Sequence, residues 1–162
     1  MTGSHDCRAA VALDPQTQLV LWGLRVHAAG MRMGVPVSEP VRATFAQAMA
    51  EDAAGPLEAL VVFIGRGAAR TVEVKCPQCP DVTADERLLL RLLALYQAGR
   101  DLPALFEARG LLTPSAARVS GPVFRMAATA LAQCGLRLTD ETLAAPMPPP
   151  FALIMPEHAT IH

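Results

Sequence analysis

The run Cys76-Pro77-Gln78-Cys79-Pro80 is the stretch of this chain with a clear chemical signature. Two thiols three residues apart can hold one soft metal ion or close a small redox disulfide. A structural zinc site needs four ligands, and the sequence has no second C-x-x-C, so His5, Cys7, His27 or Cys134 would have to complete it. Zinc knuckles often place a glycine with positive φ after the second cysteine, a geometry closed to Pro80. A thioredoxin-type pair belongs at a helix start inside a βαβ framework, where the helix dipole lowers the thiol pKa. Here Pro80 and Thr83 put the helix start beyond both cysteines. The expectation is a loop with no cofactor, with zinc binding or thiol redox chemistry at Cys76 and Cys79 as the alternative.

His27 lies in an apolar helix, where an imidazole nitrogen could act as ligand or base. A lone histidine on such a helix is more often a core or boundary residue. Asp85 and Glu86 resemble a catalytic acid pair, yet their place in the first turn of a helix accounts for them as capping residues. Gly65-Arg66-Gly67 lacks the preceding strand and the third glycine of a dinucleotide loop and reads as a helix end. The methionines, Met31 and Met33 among them, read as packing residues. With no G-x-S-x-G, H-E-x-x-H or phosphate loop in the sequence, binding is expected ahead of catalysis.

The elements that carry these residues are marked mainly by helix punctuation. From Pro15 to Met33 nearly every position is apolar, except a stripe of Gln18, Arg25 and Arg32, whose seven-residue spacing draws one polar line along a helix. Gly23, Ala28, Ala29 and Gly30 would admit a close neighbour, and Gly34 and Pro36 end the helix. Ser38, Glu39 and Pro40 predict a helix start running to about Ala54, with Val41, Phe45, Ala48 and Met49 on its face. Gly55 and Pro56 precede a short apolar helix, Leu57 to Ile64. Thr83 and Glu86 form a capping box for a helix reaching Gly99, with Leu88, Leu89, Leu92, Leu93, Leu95 and Tyr96 as its apolar face. Asp101 is expected to cap a short helix. Thr113 and Pro114 open the last one, which must bend or restart at Gly121 and Pro122.

Arg70 to Lys75 alternates polar residues with Val72 and Val74 and is the best strand candidate. A lone strand needs a partner for its backbone, which could be Phe151 to Met155 or a second subunit. Four prolines between Ala145 and Pro150 favour an extended arm. Its apolar cluster Phe151, Leu153, Ile154 and Met155 is a candidate partner-binding segment, docking beside Val72 and Val74 or on a second copy.

The chain's 162 residues fit one domain, and an aromatic content of 4% leaves the core to Leu, Val, Ala and Met, as packed helices allow. A net charge of −1 gives no electrostatic reason to expect nucleic acid or an anionic membrane as partner. No apolar stretch is long enough to span a bilayer, and Met1 to Asp14 lacks the pattern of a secretory signal. Four irregularly spaced cysteines fit a reducing compartment, so a cytoplasmic protein is expected.

The segment Cys76 to Glu86, C-P-Q-C-P-D-V-T-A-D-E, followed by a Leu-rich helix, resembles a family of uncharacterised alphaproteobacterial helical proteins in which a Cys/Pro run precedes T-x-D-E. The resemblance covers the middle of the chain and implies a small helical protein. It brings no activity and no catalytic residue. The sequence thus predicts an all-α fold, an orthogonal or irregular bundle of five to six helices with at most one short β pair near 70–75. Residues 1–138 form its single helical domain and 139–162 a Pro-rich arm. The expected function is a non-enzymatic binding or regulatory module that forms a homo-oligomer or joins a protein partner.

Overall fold

The computed structural model describes residues 13–138. Over them the chain is an all-α bundle, with no sheet and with an isolated β-bridge between Ala68 and Leu112. No described helix is long and apolar enough to cross a membrane. The expected arm at 139–162, with Phe151, Leu153, Ile154 and Met155, lies outside the described residues, as do His5 and Cys7.

Helix α1 (Pro15–Met33) starts where the Asp14 carboxylate accepts the amides of Gln16 and Thr17, with Pro15 at the first helical position, where no amide is needed. It stops at Gly34, which takes the left-handed conformation with φ 64°. The small residue Gly23 does what its size suggests. A Cβ there would sit 2.8 Å from Leu57 and 3.0 Å from Phe45, so the two helices that follow press directly on the α1 backbone.

Helix α2 (Ser38–Gln47) is shorter than its pattern predicts. Val41 and Phe45 are buried, but the helix ends before Ala48, and Met49 takes φ 55° with its side chain in solvent. One 3-10 turn (Glu51–Ala53) then leads into α3 (Ala54–Gly67), which gains a turn at its N-terminal side over the predicted segment and ends at the expected glycines. Ser38 does not cap α2. Its hydroxyl donates instead to the Glu58 carboxylate of α3, 2.7 Å away.

Helix α4 (Ala84–Gln97) is the centre of the bundle, packed on α1 and on two helices that follow it in the chain. The six predicted core positions are buried, and so are Leu90 and Ala94, so the helix is enclosed on nearly every side. Arg91 stays near the surface in a bidentate pair with Glu107 of α5 (Asp101–Ala108). Asp101 does not cap α5 with its side chain; it pairs with Arg125. The last predicted helix is divided into α6 (Pro114–Val119), capped by Thr113, and α7 (Gly121–Gln133), which restarts at the expected Gly121-Pro122. That restart turns six sequence segments into seven α-helices among the described residues.

Between α3 and α4 the chain has neither helix nor strand ladder. Arg70 to Lys75 is therefore no strand: the amides that a neighbouring strand would accept are given to carboxylates. Glu73 N–H donates to Asp85 (2.8 Å) and Lys75 N–H to Glu86 (3.0 Å), both at the start of α4. The alternation still sorts the side chains, because Val72 and Val74 share one apolar wall.

Candidate functional site

The polar line along α1 has a buried middle. Arg25 and Glu86 have side chains only 2% and 1% exposed and meet in a bidentate pair, Nε to Oε1 at 2.7 Å and Nη2 to Oε2 at 2.9 Å. The remaining reach of the guanidinium goes to backbone: Nη1 donates to the Cys79 carbonyl at 2.7 Å and Nη2 to that of Asp81 at 2.5 Å. Glu86 also accepts the amides of Lys75 and of Thr83, the second closing the capping box. One arginine and one glutamate thus tie α1, the Cys-Pro loop, residues 73–75 and the start of α4 together. The Glu86 carboxylate holds the Arg25 pKa above its ordinary value, against the opposing effect of burial.

Beside this pair, Arg70 grips Asp85 with two bonds of 2.8 and 2.7 Å. Arg70, followed by the Glu73 amide, holds the Asp85 carboxyl below its usual range, although burial works the other way. The Thr83 hydroxyl completes the strapping by donating to the Glu73 carbonyl at 2.6 Å. Each acid of the Asp85-Glu86 pair is engaged by an arginine and by backbone, Asp85 through the amide of Glu73 and Glu86 through those of Lys75 and Thr83. Glu86 caps α4 as the sequence suggests and Asp85 stands in the first turn, while both hold the 70–83 segment to the bundle.

The result of that strapping is an apolar cleft of about 290 Å³. Leu24, Ala28 and Met31 of α1 form one wall, and Val61, Ile64 and Gly65 of α3 another. Val72 and Val74 close the third side, with Leu89 of α4 also lining the space. The charged lining residues are Arg32 and Arg70. Arg32, exposed in the last turn of α1, donates to the Val74 carbonyl at 3.2 Å and has no acidic partner among the described residues.

The residues singled out in the sequence fall elsewhere. Cys76 is exposed and Cys79 half-buried, both as free thiols, in a turn closed by the Cys79 amide on the Cys76 carbonyl at 3.1 Å. Neither His27 nor Cys134 joins them: among the described residues no three His, Cys, Asp or Glu side chains are grouped to hold a metal. His27 is buried, and its Nε2 has no hydrogen-bond partner among the described residues. Burial lowers its pKa, with Glu58 partly opposing.

Sequence reading did not find the cleft, nor the second role of Glu86. A usable signal was present in Arg25, a cation enclosed by Leu24, Val26 and His27 on a helix otherwise suited to burial. Such a residue needs a buried acid. Fold and site together define a small helical bundle with an apolar cleft, one side of which is an irregular segment held by salt bridges. Comparison of the chain with protein-family models, with curated proteins and with solved structures gives no match.

Proposed function

We propose that this chain is a non-enzymatic binding module of the bacterial cytoplasm, one that receives an apolar group in the cleft between α1, α3 and residues 70–75. The observation that carries the reading is an open apolar cleft whose neighbouring ionisable groups, Arg25, Arg70, Asp85 and Glu86, are already committed to one another and to backbone. Groups spent in this way build a wall and offer no base or nucleophile. Apolar surface facing water favours an apolar occupant by about 25 cal/mol per Å² covered. Titration of the full chain with decanol, followed through the methyl resonances of Ile64, Val72 and Val74, tests this. Saturable shifts that Ala28→Leu abolishes are expected, and their absence would defeat the reading.

Self-association forms part of the same proposal. Leu102 and Phe106, 80% and 67% exposed, lie four residues apart on α5 and so on one face, which suits a second copy of the chain. A second reading, metal or redox chemistry at Cys76 and Cys79, draws support from the exposure of the Cys76 thiol. Elemental analysis with thiol titration separates it: both thiols free and no bound metal would remove that reading.

A further inference from the structure

We infer that the occupant of the cleft is a single alkyl chain with an anionic head group, and that Arg32 is the residue that receives the head. The inference rests on reading the cleft as a binding site and adds the chemistry of what enters it.

Size comes first. A cavity of ~150 Å³ accommodates benzene, and small-molecule sites start at roughly 300 Å³. At about 290 Å³, the cleft has room for one alkyl chain and too little for a paired-chain lipid. Met31 forms part of its wall and is half exposed, with its terminal methyl packed over Gly65 at a position where a Cβ would come within 2.7 Å. A thioether on three rotatable bonds can move aside or follow the contour of an entering chain.

Charge then selects the head. The charged residues of the lining are two arginines, with no acid among them. Arg70 is spent, since Asp85 takes its fork in a bidentate pair. Arg32 is not. Among the described residues, one of the five N–H groups of its guanidinium is engaged, on the Val74 carbonyl. That carbonyl belongs to the cleft wall, so the bond fixes the guanidinium at the rim while the rest of the fork stays available. A planar fork matches the paired oxygens of a carboxylate or a phosphate. A cationic head would meet two arginines, and a neutral one would leave the fork unused.

The test titrates the full chain with decanoate, decyl phosphate, decanol and decyltrimethylammonium, each below its micelle-forming concentration. Calorimetry and the Ile64, Val72 and Val74 methyl shifts are the readouts. At least one anion should bind about tenfold more tightly than decanol, as expected of a charge-assisted hydrogen bond at a partly exposed site, and the tighter of the two identifies the head. Arg32→Gln should bring that anion to the affinity of decanol and leave decanol itself unchanged. Ala28→Leu should weaken all the probes that bind. Equal binding of anion and alcohol to the wild type would overturn the head-group assignment and leave the cleft reading standing. If no probe moves these methyls, both fall together. Shifts that follow protein concentration instead would make a second copy the occupant, which also overturns the inference.

Discussion

Arg25 of α1 and Glu86 of α4, 61 residues apart in sequence, face each other across the core as a bidentate ion pair with both side chains out of solvent. Burying two charges is costly, and the arrangement is tolerable because Arg25 makes four hydrogen bonds and the pair holds four further groups, two carbonyls and two amides. Removing one partner leaves a buried charge alone. Arg25→Met should therefore destabilise the fold by about 3–5 kcal/mol, a large share of the stability of an ordinary domain. Arg25→Met with Glu86→Gln should cost less than the sum of the single changes, because the neutral amide no longer needs a counterion. Denaturant midpoints of the four proteins check this, and strict additivity would mean that the pair is not coupled.

Thr83 makes two bonds with one hydroxyl. It accepts the Glu86 amide at 3.0 Å and donates to the Glu73 carbonyl at 2.6 Å, joining the helix cap to the strapped segment. Thr83→Ala should cost about 1–2 kcal/mol, the upper part of the range for a lost N-cap, and Thr83→Ser should restore most of it. An unchanged midpoint for the alanine variant would show that neither bond contributes.

The cap on α4 was legible because its signal spans four residues, Thr83 to Glu86, and the same holds for Thr113-Pro114, Gly34 and the Gly121 restart. Local chemistry writes such features into the chain. The end of α2 was not legible, since the residue that leaves the helix with positive φ is Met49, where turn chemistry would favour glycine or asparagine. The alternation at 70–75 correctly put Val72 and Val74 on one side, yet the backbone partners turned out to be the carboxylates of Asp85 and Glu86. Nothing in a periodic pattern distinguishes a strand amide given to a strand from one given to a side chain. The cleft depends on the pairing of Arg25 with a residue three helices further along, and a contact of that separation leaves no local trace.

His27 gives the fold a pH dependence with a definite sign. Burial lowers its pKa below 6.5, while Glu58 partly opposes. As pH falls through 6.5 the unfolded chain takes up the proton first, so it binds more protons than the folded chain and stability drops. The loss stops once pH is below the folded-state pKa. Substituting His27→Leu should flatten this slope, and by removing a buried nitrogen without a partner it should raise stability by about 1 kcal/mol or more at mildly acidic pH. Urea midpoints from pH 7.5 down to about pH 5 for both proteins decide the matter. A slope that survives in the variant would assign it to other groups.

Self-association has two candidate routes that one set of mass measurements separates. On α5, Leu102 and Phe106 present adjacent apolar surface, and the Arg109 guanidinium lies 5.6 Å from the Phe106 ring centre, so an acid placed at 106 would keep a nearby cation while losing the apolar contact. The other route is the segment around Phe151 to Met155, expected from the sequence to dock in cis beside Val72 and Val74 or across on a second copy. Phe106→Glu should halve the solution mass if α5 is the interface, with little change in the stability of each subunit, because the side chain is mostly in solvent. Deleting residues 146 to 162 should halve it if the arm crosses. Sedimentation equilibrium on the wild type and both variants distinguishes these outcomes. A wild type that is already monomeric at high concentration would refute both routes, and would leave the exposed pair on α5 as a surface for a different protein.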